Sequence, residues 1–220
     1  MNFIMLGLSI ALILYYIYVP HKNNHHSLYF KTIASISFLV VGYQAMQACS
    51  LTTYRYLVMA GLVFGALGDV ALALAECYPD KEDGWFLAGL GVFLVGHLSY
   101  TAALFALELP MAVLFGVLSI IGGVLVIRVL ERHGVAFDKM RIAATLYAIV
   151  ILYMELCAIS HFSLTWYGLI LNIGTLCFVL SDLVLAFILF KKQNSREMLW
   201  CNLTLYYTAQ LCIAFTMWLC

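Results

Sequence analysis

Residues Tyr56–Ala75 read YLVMAGLVFGALGDVALALA, twenty residues with a single charged side chain, Asp69. A helix rises ~1.5 Å per residue, so the run is ~30 Å long, the thickness of a bilayer's hydrocarbon core. It is about twice the length of a barrel strand and lacks strand alternation, which leaves a spanning helix as its structure. Comparable runs fill the rest of the chain: Phe3–Val19, Phe30–Cys49, Trp85–Leu107, Met111–Ile127, Arg141–Ser160, Tyr167–Phe190 and Leu199–Leu219. The expectation is an all-α polytopic membrane protein of about eight transmembrane helices, forming a single transmembrane helical domain over residues 1–220. Composition agrees, since 65% of the 220 residues are hydrophobic and only 10% are charged, against roughly a quarter in soluble domains.

The first run has no basic residue ahead of it and no small-residue cleavage site after it, so it reads as a retained helix. Lys22, Lys31, Lys81, Arg128, Arg132, Lys139, Arg141, Lys191, Lys192 and Arg196 fall at the connections after spans one, three, five and seven, and the opposite connections carry Arg55. By the positive-inside rule the basic side is cytoplasmic and both termini are non-cytoplasmic. The membrane is an inner membrane in a bacterium or an internal one, such as the endoplasmic reticulum, in a eukaryote. Seven cysteines show no C-x-x-C pair, and Cys49, Cys157, Cys177, Cys201 and Cys212 read as apolar fillers. His21, His25 and His26 lie in a polar stretch without zinc-site spacing and read as solvated. The net charge of zero offers nothing to nucleic acid; the partner it implies is the lipid bilayer.

Ionisable groups inside a bilayer are costly and mark function by default. Asp69, His97, Glu155 and Asp182 fall there. Asp69 precedes Glu76 by seven residues and Asp182 precedes Lys191 by nine, or ~10 and ~13 Å of helix rise. Their helices run in the same direction, so both carboxyls lie at one level in the cytoplasmic half, whereas Glu155 lies toward the opposite face. The surroundings repeat: Leu67-Gly68-Asp69-Val70-Ala71-Leu72-Ala73 beside Leu180-Ser181-Asp182-Leu183-Val184-Leu185-Ala186. Twenty-eight residues after each acid stands a polar group, His97 or Gln210. Equal spacing suggests two four-helix halves, a 4+4 pseudo-two-fold repeat with the acids facing each other. Alternatively each acid is an interhelical hydrogen-bonding group, as His97 and Gln210 are on their bland reading. Lys31 either snorkels to the headgroups or offers a cation to a lipid phosphate.

These motifs resemble the YhhN-like lysoplasmalogenase family of eight-span membrane hydrolases. The matching stretches are Gly61 to Asp69, Phe86 to Tyr100 with Gly96-His97-Leu98, Tyr147 and Met154, Phe178 to Ala186 around Ser181-Asp182, and Tyr206 to Gln210. One departure is Thr32, which follows Lys31 where the family commonly has proline. The resemblance implies hydrolysis of the vinyl-ether bond of 1-alkenyl-lysophospholipids, giving a fatty aldehyde and glycerophosphoethanolamine or glycerophosphocholine.

Vinyl-ether cleavage protonates the outer alkene carbon; water adds to the resulting oxocarbenium ion and the hemiacetal collapses. The chemistry needs a protonated acid beside a negative charge, and no metal or cofactor. Two carboxyls in a low dielectric supply both, because desolvation and mutual repulsion keep a proton on one while the other stays ionised. They titrate as a unit, and the logic parallels that of glycosidases. Asp69 and Asp182 are thus the candidate catalytic pair, with either as the acid. Lys31 would meet the phosphate, and His97, Tyr100, Tyr147, Ser181, Tyr207 and Gln210 would line the substrate cavity or orient the carboxyls. The alkenyl chain would run toward the glycine-rich, aromatic middle of the bundle. The main rival is a proton-coupled transporter using the same carboxylates. An intramembrane aspartyl protease fits worse, because Gly65-Ala66-Leu67-Gly68 precedes Asp69, Ser181 precedes Asp182, and the last span has no proline.

Overall fold

The computed structural model describes residues 3–21, 23–48, 50, 52–107, 111–191 and 195–219. Eight α-helices follow one another: α1 (Phe3–Tyr18), α2 (Asn24–Met46), α3 (Thr52–Cys77), α4 (Glu82–Phe105), α5 (Ala112–Arg132), α6 (Arg141–Ser160), α7 (Trp166–Phe190) and α8 (Arg196–Leu219). Short 3-10 turns at Pro79–Lys81 and Asp138–Met140 precede α4 and α6. Among the described residues there is no strand. Lys22, Lys192 and Cys49 lie outside the described residues.

The chain is a multi-pass membrane protein, yet fewer helices are apolar enough to cross than the eight runs led one to expect. Among the described residues five are long and apolar enough: Thr53–Cys77, Pro79–Phe105, Ala112–Arg132, Asp138–Ser160 and Trp166–Phe190. The first helix is apolar but has only 16 residues. In α2 and α8 the hydropathy is diluted by polar residues turned inward, with Lys31, Ser35 and Ser37 buried on one and Asn202, Gln210 and Thr216 on the other.

Six helices, α2, α3, α4, α6, α7 and α8, form a closed ring in which each packs against the next. Helix α1 lies outside the ring against α2 and α8, and α5 lies outside against α6. Across the ring α3 also touches α8. Local chemistry sets the helix ends. Asn23 and Thr165 cap α2 and α7 by accepting from the backbone N–H groups of His26 and Gly168. Helix α5 stops at Gly134, whose φ of +85° lets Val135 N–H reach back to Leu130 O at 3.0 Å. That turn drives Val135 and Phe137 under the bundle, where they bury with Ile127 and Leu130.

One end of the bundle gathers the N-termini of α2 and α6 and the C-termini of α3, α5 and α7. Asn24 Nδ2 donates to Glu76 O at 2.6 Å, and Ala136 N–H donates to Phe190 O at 3.4 Å. The histidines at this end are not a free polar loop. His25 and His26 belong to the first turn of α2, and the His21 ring stacks on Tyr16 and Phe30. Cys77, Cys157, Cys177, Cys201 and Cys212 are free thiols.

Candidate active site

Asp69 sits on α3 where that helix meets α2 and α8. On α2, Lys31 and Ser35 are four residues apart and therefore share a face. Ser35 Oγ donates to Asp69 Oδ2 at 2.6 Å, and Lys31 Nζ stands 3.9 Å from Oδ1. On α8, Tyr206 and Gln210 have the same spacing. The Tyr206 hydroxyl donates to Asp69 Oδ2 at 3.0 Å and accepts from Gln210 Nε2 at 2.9 Å. Tyr100 of α4 completes the chain by donating to Gln210 Oε1 at 2.6 Å. Two hydroxyl donors and a nearby ammonium surround one carboxylate whose side chain is only 3% exposed. Gly61 and Gly65 make room for this network. A Cβ on Gly61 would overlap the Tyr100 ring, and one on Gly65 would overlap the Gln210 amide.

Asp182 on α7 has a different setting. Tyr147 of α6 donates to its Oδ2 at 3.0 Å, and His97 Nε2 of α4 lies 3.0 Å from the same tyrosine oxygen and 3.5 Å from Oδ2. Phe178 packs edge-on against the His97 ring with centroids 5.1 Å apart. Asp182 is 17% exposed, and no lysine or arginine lies within ion-pairing distance among the described residues.

Both aspartates line one cavity of about 670 Å³. Lys31, His97 and Ser181 line it too, with Asn24, Glu76 and Glu82 toward the basic end of the bundle. Of the residues singled out in the sequence, Asp69, Asp182, Lys31, His97 and Ser181 therefore converge on one space. Tyr100 and Gln210 stand behind it, as orienting groups. Ser181 contributes wall more than chemistry, because Asn202 of α8 donates to its carbonyl at 2.8 Å and to its hydroxyl at 3.0 Å. Tyr207 is not among the residues lining the cavity; it is buried behind it, with its ring edge-on to Tyr206 at 5.1 Å and to Tyr16 at 6.0 Å. Glu155 does not line the cavity either.

A model of the YhhN family matches residues 26–217. The chain belongs to the YhhN family. The match takes in Lys31, both aspartates and Gln210 and leaves out α1. Comparisons with curated proteins and with solved structures found no match.

One expectation for Lys31 of this YhhN chain is corrected by its geometry. Lys31 is not at a helix start free to snorkel; it lies seven residues inside α2 and is buried at 8% exposure. At Gly61, Gly65 and Gly68 the helix surface is covered by Tyr100, Gln210 and Phe93. Tyr206, Ser35 and Asn202 escaped the sequence reading. The four-residue spacings Lys31/Ser35 and Tyr206/Gln210 were the available signal for the first two. Among the described residues no group of three or more His, Cys, Asp or Glu is arranged to hold a metal ion.

Proposed function

We propose that this YhhN protein is a lysoplasmalogenase, hydrolysing the vinyl-ether bond of 1-alkenyl-lysophospholipids through acid catalysis by Asp182 with Asp69 as the resident carboxylate. The observation that carries the reading is that two carboxyls share one cavity in opposite surroundings. YhhN family membership is consistent with it. Ser35, Tyr206 and Lys31 favour the ionised form of Asp69, since charge-assisted hydrogen bonds and a nearby cation stabilise an anion. Asp182 has only Tyr147 and His97 beside it. These three form a chain in which the tyrosine hydroxyl bridges the carboxyl and the imidazole, and the hydrogen bonds of such a chain can run in either direction.

In the reaction Asp182 gives its proton to the outer alkene carbon, leaving an oxocarbenium ion at the carbon bonded to the ether oxygen. The Asp69 carboxylate stabilises that cation electrostatically. Asp182, now ionised, takes a proton from the attacking water and is restored, and the hemiacetal collapses to aldehyde and glycerol hydroxyl. Lys31, at 3.9 Å from Asp69, is beyond direct hydrogen-bonding distance and is placed to receive the substrate phosphate as well. In this reading all eight helices cross the bilayer. The polar faces of α2 and α8 turn to the cavity, and the termini are non-cytoplasmic. The helix pairings support the 4+4 repeat, because α1–α2, α2–α3, α3–α4 and α2–α8 recur as α5–α6, α6–α7, α7–α8 and α6–α4.

The test is aldehyde release by the purified protein in detergent from an alkenyl-lysophosphoethanolamine, beside the ester-linked lysolipid, which lacks the protonatable carbon. The expected result is aldehyde from the alkenyl substrate alone, with Asp182→Asn lowering turnover at least 10²-fold, the lower end of ~10²–10⁴ for a general acid. Absence of aldehyde, with gradient-driven uptake in vesicles, would replace the hydrolase with the proton-coupled carrier.

A further inference from the structure

A second cavity, of about 160 Å³, lies between α4, α5, α6 and α7. Of the twenty residues around it, only Tyr147 and Asp182 have polar side-chain groups. It shares Leu72, Phe86, Phe93, Asp182, Leu185 and Leu189 with the polar cavity. The two spaces therefore adjoin along a common wall, and Asp182 is the one ionisable group facing both. Along α7 the apolar slot runs from Val179 to Phe190, ~16 Å of helix rise. Its flank opens sideways: α5 packs against α6 and against no other helix among the described residues, and Leu183, on the slot wall, is 39% exposed.

We propose that this slot holds the single hydrocarbon chain of the substrate, with the headgroup in the polar cavity and the first carbons of the chain at Asp182. The proposal rests on the hydrolase reading of the polar cavity and extends it to a chain-selecting subsite. An amphiphile whose charged end meets Lys31 and whose apolar end needs an uncharged wall is matched by two adjoining cavities of opposite character. A hydrocarbon chain gains little by leaving lipid for protein, because bilayer tails are as apolar as leucine. The slot's contribution is consequently positional: it fixes which carbons stand beside the carboxyl, and its length and width choose the chain. One slot for one chain also selects lipids with a single tail.

The experiment compares aldehyde release from alkenyl-lysolipids with short and long chains by the full-length protein and by variants of the slot. Ala148→Phe and Ala186→Phe fill it and are expected to lower the long-to-short turnover ratio at least tenfold. Phe190→Ala removes a ring packed at a tilt against Phe137, centroids 4.8 Å apart, opens the end of the slot and raises that ratio. Opposite shifts from filling and opening are not produced by general structural damage. A ratio unchanged within twofold in all three variants overturns the proposal. If no variant, nor the unmodified protein, releases aldehyde from any chain length, the hydrolase reading has failed, and the slot is judged by photo-crosslinking of a single-chain lysophosphatidylcholine bearing a diazirine in its tail. Label on the α4–α7 residues that line the slot supports it, and label elsewhere on the protein overturns it.

Discussion

At the residue scale the two aspartates are chemically alike and differ only in company. Asp69 is locked by Ser35, Tyr206 and Lys31, whereas Asp182 meets a tyrosine and a histidine and remains partly open. The Lys31–Asp69 pair also bears on stability. Removing one partner of a buried ion pair leaves an uncompensated charge and costs about 3–5 kcal/mol. Lys31→Met and Asp69→Asn should each lower stability by that order, while the double substitution should cost less than either alone, as read by thermal unfolding in detergent. All three should lack aldehyde release. Costs that simply add would mean that the two groups do not interact.

At the element scale the site depends on how α3, α4 and α8 approach one another. Gly65 lets α8 come close enough for Gln210 to hold Tyr206 against Asp69. Gly65→Ala would push the Gln210 amide aside, with an overpacking cost of about 1–3 kcal/mol and a loss of turnover through the displaced Tyr206. Because the clash is with one side chain, Gly65→Ala combined with Gln210→Ala should destabilise by clearly less than the sum of the two, a coupling that a double-mutant cycle measures. Strict additivity would count against this packing. Within the proposed eight-span reading, the same elements explain why hydropathy singles out five helices. Lys31 and Ser35, or Tyr206 and Gln210, lower a helix's mean hydropathy just as solvent-facing residues would, yet all four are buried inside the bundle.

At the scale of the whole molecule, the ring of six helices with α1 and α5 outside it gathers the basic connections at the end onto which the polar cavity's Asn24, Glu76 and Glu82 face. The proposed orientation puts that end in the cytoplasm. A cysteine introduced at Lys139 should react with a membrane-impermeant thiol reagent only after permeabilisation. One introduced at Leu164, which is 87% exposed in the α6–α7 connection, should react in intact cells. The reverse pattern would invert the topology, and labelling of both in intact cells would exclude an odd number of crossings between them.

Much of this was legible beforehand. Length and apolarity alone determined the eight helices and their order, because no other backbone arrangement satisfies its hydrogen bonds in lipid. Cost in the bilayer singled out Asp69, His97, Glu155 and Asp182, since a charge there needs a reason, and all but Glu155 line the polar cavity. Tertiary structure alone decided that Lys31 is buried against Asp69, that Tyr206 rather than Tyr207 donates to the carboxylate, and that an apolar cavity adjoins Asp182 among α4, α5, α6 and α7. The physical reason is that neighbouring residues on a helix point about 100° apart. Which of them faces the cavity depends on how each helix is rotated against its partners, and that rotation is set by contacts among helices distant in the chain.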